Sequence, residues 1–231
     1  MPPLNLVGDY GGGALYLAFG LLAGILRARE TGVGDVIDAA MIDGVASLMA
    51  IFTGLKAGGR WSDERGVNLL DGGAPFYDTY VCADGVHFAI GAIEPKFFAT
   101  LARIIGLEGE HVARQYDRAH WPALRAAITA AMLSKTRAQW AALLEHTDAC
   151  AAPVLTLAEA AAHPHLAARG CYVTHGGVTQ PAVAPRFQNA APGPLSPAPE
   201  PGAHTRAILA EGGFSDVEIA DLIACGAAAD A

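Results

Sequence analysis

The 231 residues carry 15 Lys and Arg against 23 Asp and Glu, a formal charge of −8, and this acidic balance excludes a nucleic-acid backbone as partner, which needs a basic face. With 52% apolar and 16% charged residues the chain belongs among folded rather than disordered proteins, with length for one good core or two small ones. Cys82, Cys150, Cys171 and Cys225 are scattered with no CxxC pair, which argues against a zinc site or redox dithiol and for free thiols. A mean hydropathy of +0.31 is high for a soluble protein. It has two readings: surfaces meant for another half or a second subunit stand exposed, or the sequence is simply alanine-rich, as in a high-GC genome.

In chain order, the first feature is Val7-Gly8-Asp9-Tyr10-Gly11-Gly12-Gly13, ahead of the apolar run 14–26. Gly11, Gly12 and Gly13 remove side chains where backbone N–H groups would lie free at a helix start. Bare amides there stabilise negative charge, whether a carboxylate, a phosphate or an oxyanion forming on a bound carbonyl. Asp9 also has a plainer reading, as the cap of that helix. Residues 10–29 and 43–57 read as two buried helices, with 34–41 extended between them; the first is stopped by Arg27, Arg29 and Gly32. The 14–26 run contains glycines and falls short of the ~20 residues that cross a bilayer, so it reads as a core helix and no membrane partner is expected. Asp38 and Asp43 read as local caps or hydrogen-bond anchors, and 58–73, with mixed charge and several glycines, as an irregular linker.

Cys82-Ala83-Asp84-Gly85 is a hairpin turn signal, pairing strands over 77–82 and 86–91. Gly91-Ala92-Ile93-Glu94-Pro95 then leads into a helix to Ile105, with Pro95 suited to its first position. Glu94 thus falls where a carboxylate is expected for capping alone, or where it is displayed for chemistry. Further helices are predicted near 121–132 and 136–146, a strand near 152–156 and a short helix at 157–163. His163-Pro164-His165 reads as a turn rather than a metal site, because proline intervenes and no carboxylate cluster is near. His87 and His204 read as structural or surface groups. The proline-rich stretch 180–202 is incompatible with long helices, and helices near 203–212 and 215–224 finish the chain, the latter with a Ser215/Glu218 capping box.

Several ordered blocks resemble the alpha-methylacyl-CoA racemases of the family III CoA-transferase superfamily. They are Pro3-Leu4-Asn5-Leu6-Val7-Gly8-Asp9-Tyr10-Gly11-Gly12-Gly13, then Thr31-Gly32-Val33-Gly34-Asp35-Val36-Ile37-Asp38-Ala39-Ala40-Met41 and Asn68-Leu69-Leu70-Asp71-Gly72-Gly73-Ala74-Pro75-Phe76-Tyr77. The likeness continues through Gly91-Ala92-Ile93-Glu94-Pro95, Thr147-Asp148-Ala149-Cys150 with Ala152-Pro153-Val154-Leu155, and His163-Pro164-His165 with Ala168-Arg169-Gly170. It covers nearly the whole chain. Gly202-Ala203-His204-Thr205 departs from the family's Gly-Glu-His-Thr element.

The resemblance implies an α/β fold of α+β type, the C-terminal part of the family fold. Residues 1–57 would be the remainder of a large CoA-binding domain and 58–74 a linker arm. Residues 75–180 would form a small α/β domain, 181–202 a return linker, and 203–231 helices packing on the large domain. The family's leading Rossmann-like segment, with a Gly-His-Asp-type motif whose histidine is a base, has no counterpart here. It implies catalysis by Asp9 and Glu94, with Gly11, Gly12 and Gly13 as the thioester loop. Coenzyme A enters only as part of an acyl-CoA substrate, with no separate cofactor and no metal. An interlocked homodimer of the complete protein, or association with a separate N-terminal half, is the implied assembly. A cytoplasmic location is expected, because neither a signal peptide nor a Ser-Lys-Leu address is seen. The competing reading is CoA transfer, in which the aspartate at Asp9 is the nucleophile; an inactive fragment is the third.

Overall fold

The computed structural model describes residues 3–190, 193 and 195–231, so part of the predicted return linker, at 191, 192 and 194, lies outside them. The chain forms two compact units, Met1–Val154 and Leu155–Ala231.

The core of the first unit is built on a hairpin. Strand β1 (Tyr77–Val81) pairs antiparallel with β2 (His87–Gly91), Tyr77 opposite Gly91 and Val81 opposite His87. Gly85 takes φ 78° in the turn, a left-handed conformation that glycine adopts without strain. A third strand, β3 (Ala151–Pro153), adds antiparallel to β2. It is shorter than the predicted 152–156. Alternation sends Tyr80, Phe88 and Ile90 to one face, which is buried.

Helices cover that face. Helix α4 (Pro95–Ile105) buries Phe98, Leu101, Ala102 and Ile105, the i, i+3, i+4, i+7 stripe of an amphipathic helix. Helix α6 (Trp121–Met132) contributes Trp121, Leu124, Ile128 and Met132 to the same core. Helix α7 (Arg137–Leu144) adds Trp140, whose indole N–H donates to the Met132 carbonyl at 2.9 Å. Thr136 and Gln139 form a capping box at its start. Between α4 and α6 lie a short helix α5 (Gly109–Ala113) and a 3₁₀ turn (Arg118–His120), neither expected from the sequence. Tyr80, buried and donating its hydroxyl to the Pro75 carbonyl, has its pKa pushed up to about 12 by desolvation.

The predicted linker contains an ordered knot. The Asn68 side chain, 1% exposed, donates to the Ser62 carbonyl at 3.0 Å and to Asp71 Oδ2 at 2.7 Å. Asp71 in turn accepts from the amides of Asn68, Gly66 and Gly73. A Cβ at Gly73 would sit 2.5 Å from the Asn68 carbonyl oxygen, so only glycine closes this loop. Burial raises the Asp71 pKa, but these hydrogen bonds outweigh it and the net shift is downward. A depressed folded pKa means stabilisation that is present above the unfolded carboxylate value, about 3.9, and is lost as pH falls through the folded value. Asp71→Asn is expected to flatten that acid limb in urea titrations between neutral and acidic pH. Equal acid sensitivity in the variant would contradict it.

The N-terminal helices depart from expectation. Residues Leu6–Ala14 form a π-helix that runs without a break into α1 (Leu15–Thr31), which ends at Gly32 in the left-handed conformation, φ 75°. Together, Leu6–Thr31 span 26 residues with mean hydropathy 1.4 over an 18-residue window, long and apolar enough by length and composition to cross a membrane. The run 14–26 alone is too short for that, and the π-helical start at Leu6 supplies the added length. Nor is α1 buried: it has no buried residue, and Phe19 is 74% exposed. The predicted 43–57 helix is two helices, α2 (Met41–Leu48) and α3 (Ala50–Ala57), broken at Met49. Ala40 is the N-cap of α2, so Asp38 and Asp43 do not cap it; Asp43 lies in its first turn.

In the second unit, α8 (Leu157–Ala162) opens with a Thr156/Glu159 capping box. His163-Pro164-His165 is not a turn but the start of a short helix, α9 (Pro164–Ala168), because Pro164 at the first position preorganises it. A hairpin, β4 (Tyr172–His175) with β5 (Val178–Pro181), was not foreseen, although Gly176-Gly177 at its tip is a turn signal. Helices α10 (Thr205–Glu211) and α11 (Asp216–Ala224) follow, the latter with the expected Ser215/Glu218 box.

Candidate active site

Glu94 occupies the N-cap position of α4, where its carbonyl accepts from the amides of Phe97 and Phe98, both at 3.0 Å. Its side chain makes no capping hydrogen bond. The plain reading of this carboxylate therefore accounts for its backbone and not for its acid group, which is exposed.

The turn beneath it is firmly held. The Gly91 amide donates to the Cys150 carbonyl at 2.8 Å and the Ile93 amide to the Gly91 carbonyl at 3.0 Å. Tyr116 donates its hydroxyl to the Ile93 carbonyl at 2.6 Å. The Gln115 carboxamide donates to the Ala92 and Ile93 carbonyls at 3.1 and 2.8 Å. Two exposed-edge groups register the charge of Glu94. Burial, then Glu94, holds the Tyr116 hydroxyl above its usual pKa. Burial likewise raises the Cys150 thiol, helped by Glu94 and Asp148 and opposed by Lys96. Cys150 is thus biased toward thiol rather than thiolate, and sits in the left-handed region at φ 48°.

Asp9 lies inside the π-helical turn rather than ahead of a helix, and it too is exposed; the N-cap is Asn5, with no side-chain cap bond. The first rung of the ladder is the Tyr10 amide to the Asn5 carbonyl at 3.2 Å. Gly11, Gly12 and Gly13 follow it within the i→i+5 ladder, so their amides are not the free donors the sequence suggested. The amides ahead of the first rung belong to Val7, Gly8 and Asp9.

Packing explains the glycines instead. A Cβ at Gly44 of α2 would lie 1.9 Å from the Gly12 carbonyl oxygen, one at Gly12 2.8 Å from Val45 Cγ2, and one at Gly13 3.0 Å from Met41 Cγ. The π-helical segment and α2 meet backbone to backbone, and this contact places Asp9. Further along, Gly20 and Gly24 face Ile37 at 2.8 and 3.1 Å by the same measure. Asp9 belongs to this helical neighbourhood and Glu94 to the rim of the sheet core, and no hydrogen bond joins the two turns among the described residues. Sequence reasoning missed Gln115 and Tyr116, which lie in an unremarkable stretch; the only clue was a Gln-Tyr pair ahead of an Asp117 cap. Among the described residues no group of three metal-ligating side chains gathers.

Two exposed carboxylates, Glu94 on a braced turn and Asp9 within a π-helical turn, are thus the candidate acid groups of this chain. Residues 2–205 match CoA-transferase family III, and the chain belongs to that family. It is 40% identical over 223 residues to alpha-methylacyl-CoA racemase of Mus musculus, covering 96% of this chain and 58% of that protein. Succinyl-CoA–D-citramalate CoA-transferase of Chloroflexus aurantiacus is 28% identical over 210 residues, 86% of this chain and 52% of that one. The crystal structure of a hypothetical protein from Mycobacterium tuberculosis superposes with a TM-score of 0.67 at 26% identity, over 89% of this chain and 55% of that chain. The fold is that of the family, and the chain spans little more than half the length of these relatives.

Proposed function

We propose that this chain forms part of an alpha-methylacyl-CoA racemase-like isomerase, interconverting (R)- and (S)-2-methylacyl-CoA by moving the alpha proton through an enolate. The observation that carries the reading is the Glu94 carboxylate, free of capping duty and aimed from a braced turn, in a chain 40% identical to a racemase. Racemisation needs two acid/base groups on opposite faces of a planar enolate. Glu94 serves one face. Asp9, with a base from the segment that the longer relatives carry beyond this match, serves the other.

A thioester alpha proton is weakly acidic, and each pKa unit of mismatch adds about 1.36 kcal/mol to its transfer. Amide donors at the thioester oxygen offset that, each by roughly 3–4 kcal/mol. The amides at residues 7–9, ahead of the first rung of the ladder, are the proposed donors, in place of those of Gly11, Gly12 and Gly13. Coenzyme A enters with the substrate, and no metal or separate cofactor takes part. Branched fatty-acid and bile-acid thioesters are the substrate class, which fits lipid metabolism, and a cytoplasmic location belongs to the same proposal.

The exposed apolar faces of α1 and α2 are surfaces for the rest of the family fold, as an interlocked homodimer or with a separately supplied N-terminal half. Gly20 and Gly24, packed on Ile37, and the inclusion of this run in the family match support that over a lipid contact. The division into large-domain remainder, linker arm, small domain and return helices belongs to the same proposal.

CoA transfer is the second reading, favoured by the similarity to the Chloroflexus transferase, with Asp9 as nucleophile. Incubating an assembly that unites this chain with the remainder of the family fold in heavy water separates them. Deuterium entering the alpha position of a branched acyl-CoA supports the isomerase. Migration of CoA to a free carboxylic acid, with the donor acyl group released as its own free acid and without such exchange, supports the transferase and ends the racemase reading.

A further inference from the structure

Among the described residues the Glu94 side chain makes no capping hydrogen bond, so its place is set by the backbone of Ala92 and Ile93. That backbone is held from 22 and 23 residues away. Gln115, 3% exposed, divides one carboxamide N–H₂ between the Ala92 and Ile93 carbonyls, and Tyr116 adds a second donor to Ile93. Both lone pairs of the Ile93 oxygen are thereby engaged. Gln115 is itself anchored: its carbonyl accepts the Trp121 indole N–H at 2.9 Å. The Trp121 and Tyr116 rings both pack edge-on against Phe76, which is fully buried in the core. A continuous path thus runs from the aromatic core through Trp121 and Gln115 to the peptide that carries Glu94.

We infer that Gln115 and Tyr116 are positioning residues for the Glu94 base, fixing its turn through the Ala92 and Ile93 carbonyls. Neither touches substrate. A base displaced by about 1 Å loses on the order of 100-fold in rate, so a brace of this kind acts on the chemical step more than on binding. The inference rests on the isomerase reading for its rate effect and on geometry alone for its structural effect.

The test has two arms, using Gln115→Met, which keeps the length and removes the donors, and Tyr116→Phe, which removes one hydroxyl from a half-exposed ring and leaves the core intact. In the 231-residue chain, hydrogen exchange at the Ile93 amide is expected to accelerate roughly tenfold in each variant, while the β1–β2 amides keep their protection. In the active assembly, kcat for alpha-deuterium exchange is expected to fall roughly 10- to 100-fold in Gln115→Met and several-fold in Tyr116→Phe, with KM within about twofold. The double variant should lose less than the product, since both donors serve one oxygen.

Unchanged Ile93 exchange in Tyr116→Phe overturns the inference, whether or not Gln115→Met folds. A rise in KM at constant kcat overturns it as well. If the active assembly shows no alpha-deuterium exchange while Ile93 exchange accelerates in both variants, the isomerase reading fails and the brace stands; if Glu94→Gln leaves alpha-deuterium exchange intact, Glu94 is not the base and the inference is overturned.

Discussion

Glu94→Gln in the active assembly is expected to lower alpha-proton exchange by about 10²–10⁴-fold, the range for loss of a general base. Its thermal stability is expected to stay within about 0.5 kcal/mol of the parent, as for exposed substitutions that touch nothing special. The pairing is what discriminates. A capping carboxylate would, on removal, cost roughly 0.5–2 kcal/mol and leave chemistry alone. The N-cap geometry at Glu94 is supplied by its carbonyl, which glutamine retains, and no side-chain cap bond exists to lose. Steady-state exchange kinetics beside a urea melt measure both quantities. A stability loss with unimpaired exchange returns Glu94 to the role of a helix start.

Gly44→Ala is expected to have the largest structural effect on the other half of the site. Its Cβ would fall 1.9 Å from the Gly12 carbonyl oxygen, a backbone atom that cannot swing aside as a side-chain tip does. Overpacking of this kind costs about 1–3 kcal/mol, occasionally more. The damage should be local, because the apolar core of the sheet and its helices lies in residues 69–151 and contains no part of α2. Amide exchange at residues 10–15 is expected to accelerate while the amides of α4 and α6 keep their protection. In the active assembly kcat should fall with the displacement of Asp9. Retained protection across the π-helical turn would show that the backbone contact does not hold it.

The small sheet and its helices were legible because their signals are local. A Cys-Ala-Asp-Gly turn, a proline at a helix start and apolar residues at helical spacing fix β1, β2, α4 and α6 without reference to the rest of the protein. The N-terminal helices were misjudged for a physical reason. Apolar content signals that a helix will be covered, not by which chain, and among the described residues none of α1 is buried. Three glycines read as bare amides at a helix start, which sets that start too late in the chain. Only the approach of α2 shows that they are absent side chains at a tight crossing. Asp9 and Glu94 were visible as acids at helix starts, yet local pattern could not tell capping from display. The brace at Gln115 and Tyr116 was invisible, since a contact across 22 residues between a loop amide and a turn carbonyl leaves no periodicity to read.

The π-helical start carries a consequence for insertion and deletion. A ladder closed at i→i+5 holds one residue more per turn than the α-helix it joins. Shortening Leu6–Ala14 by a single residue would let the whole run close as one uniform α-helix. The flanks would stay close to their present phase, while the residues inside the turn, Asp9 among them, would shift around the axis. The carboxylate of Asp9 faces its present direction because of that surplus residue, so the phase of this turn, as much as the identity of the acid, is what descendants of this chain must keep.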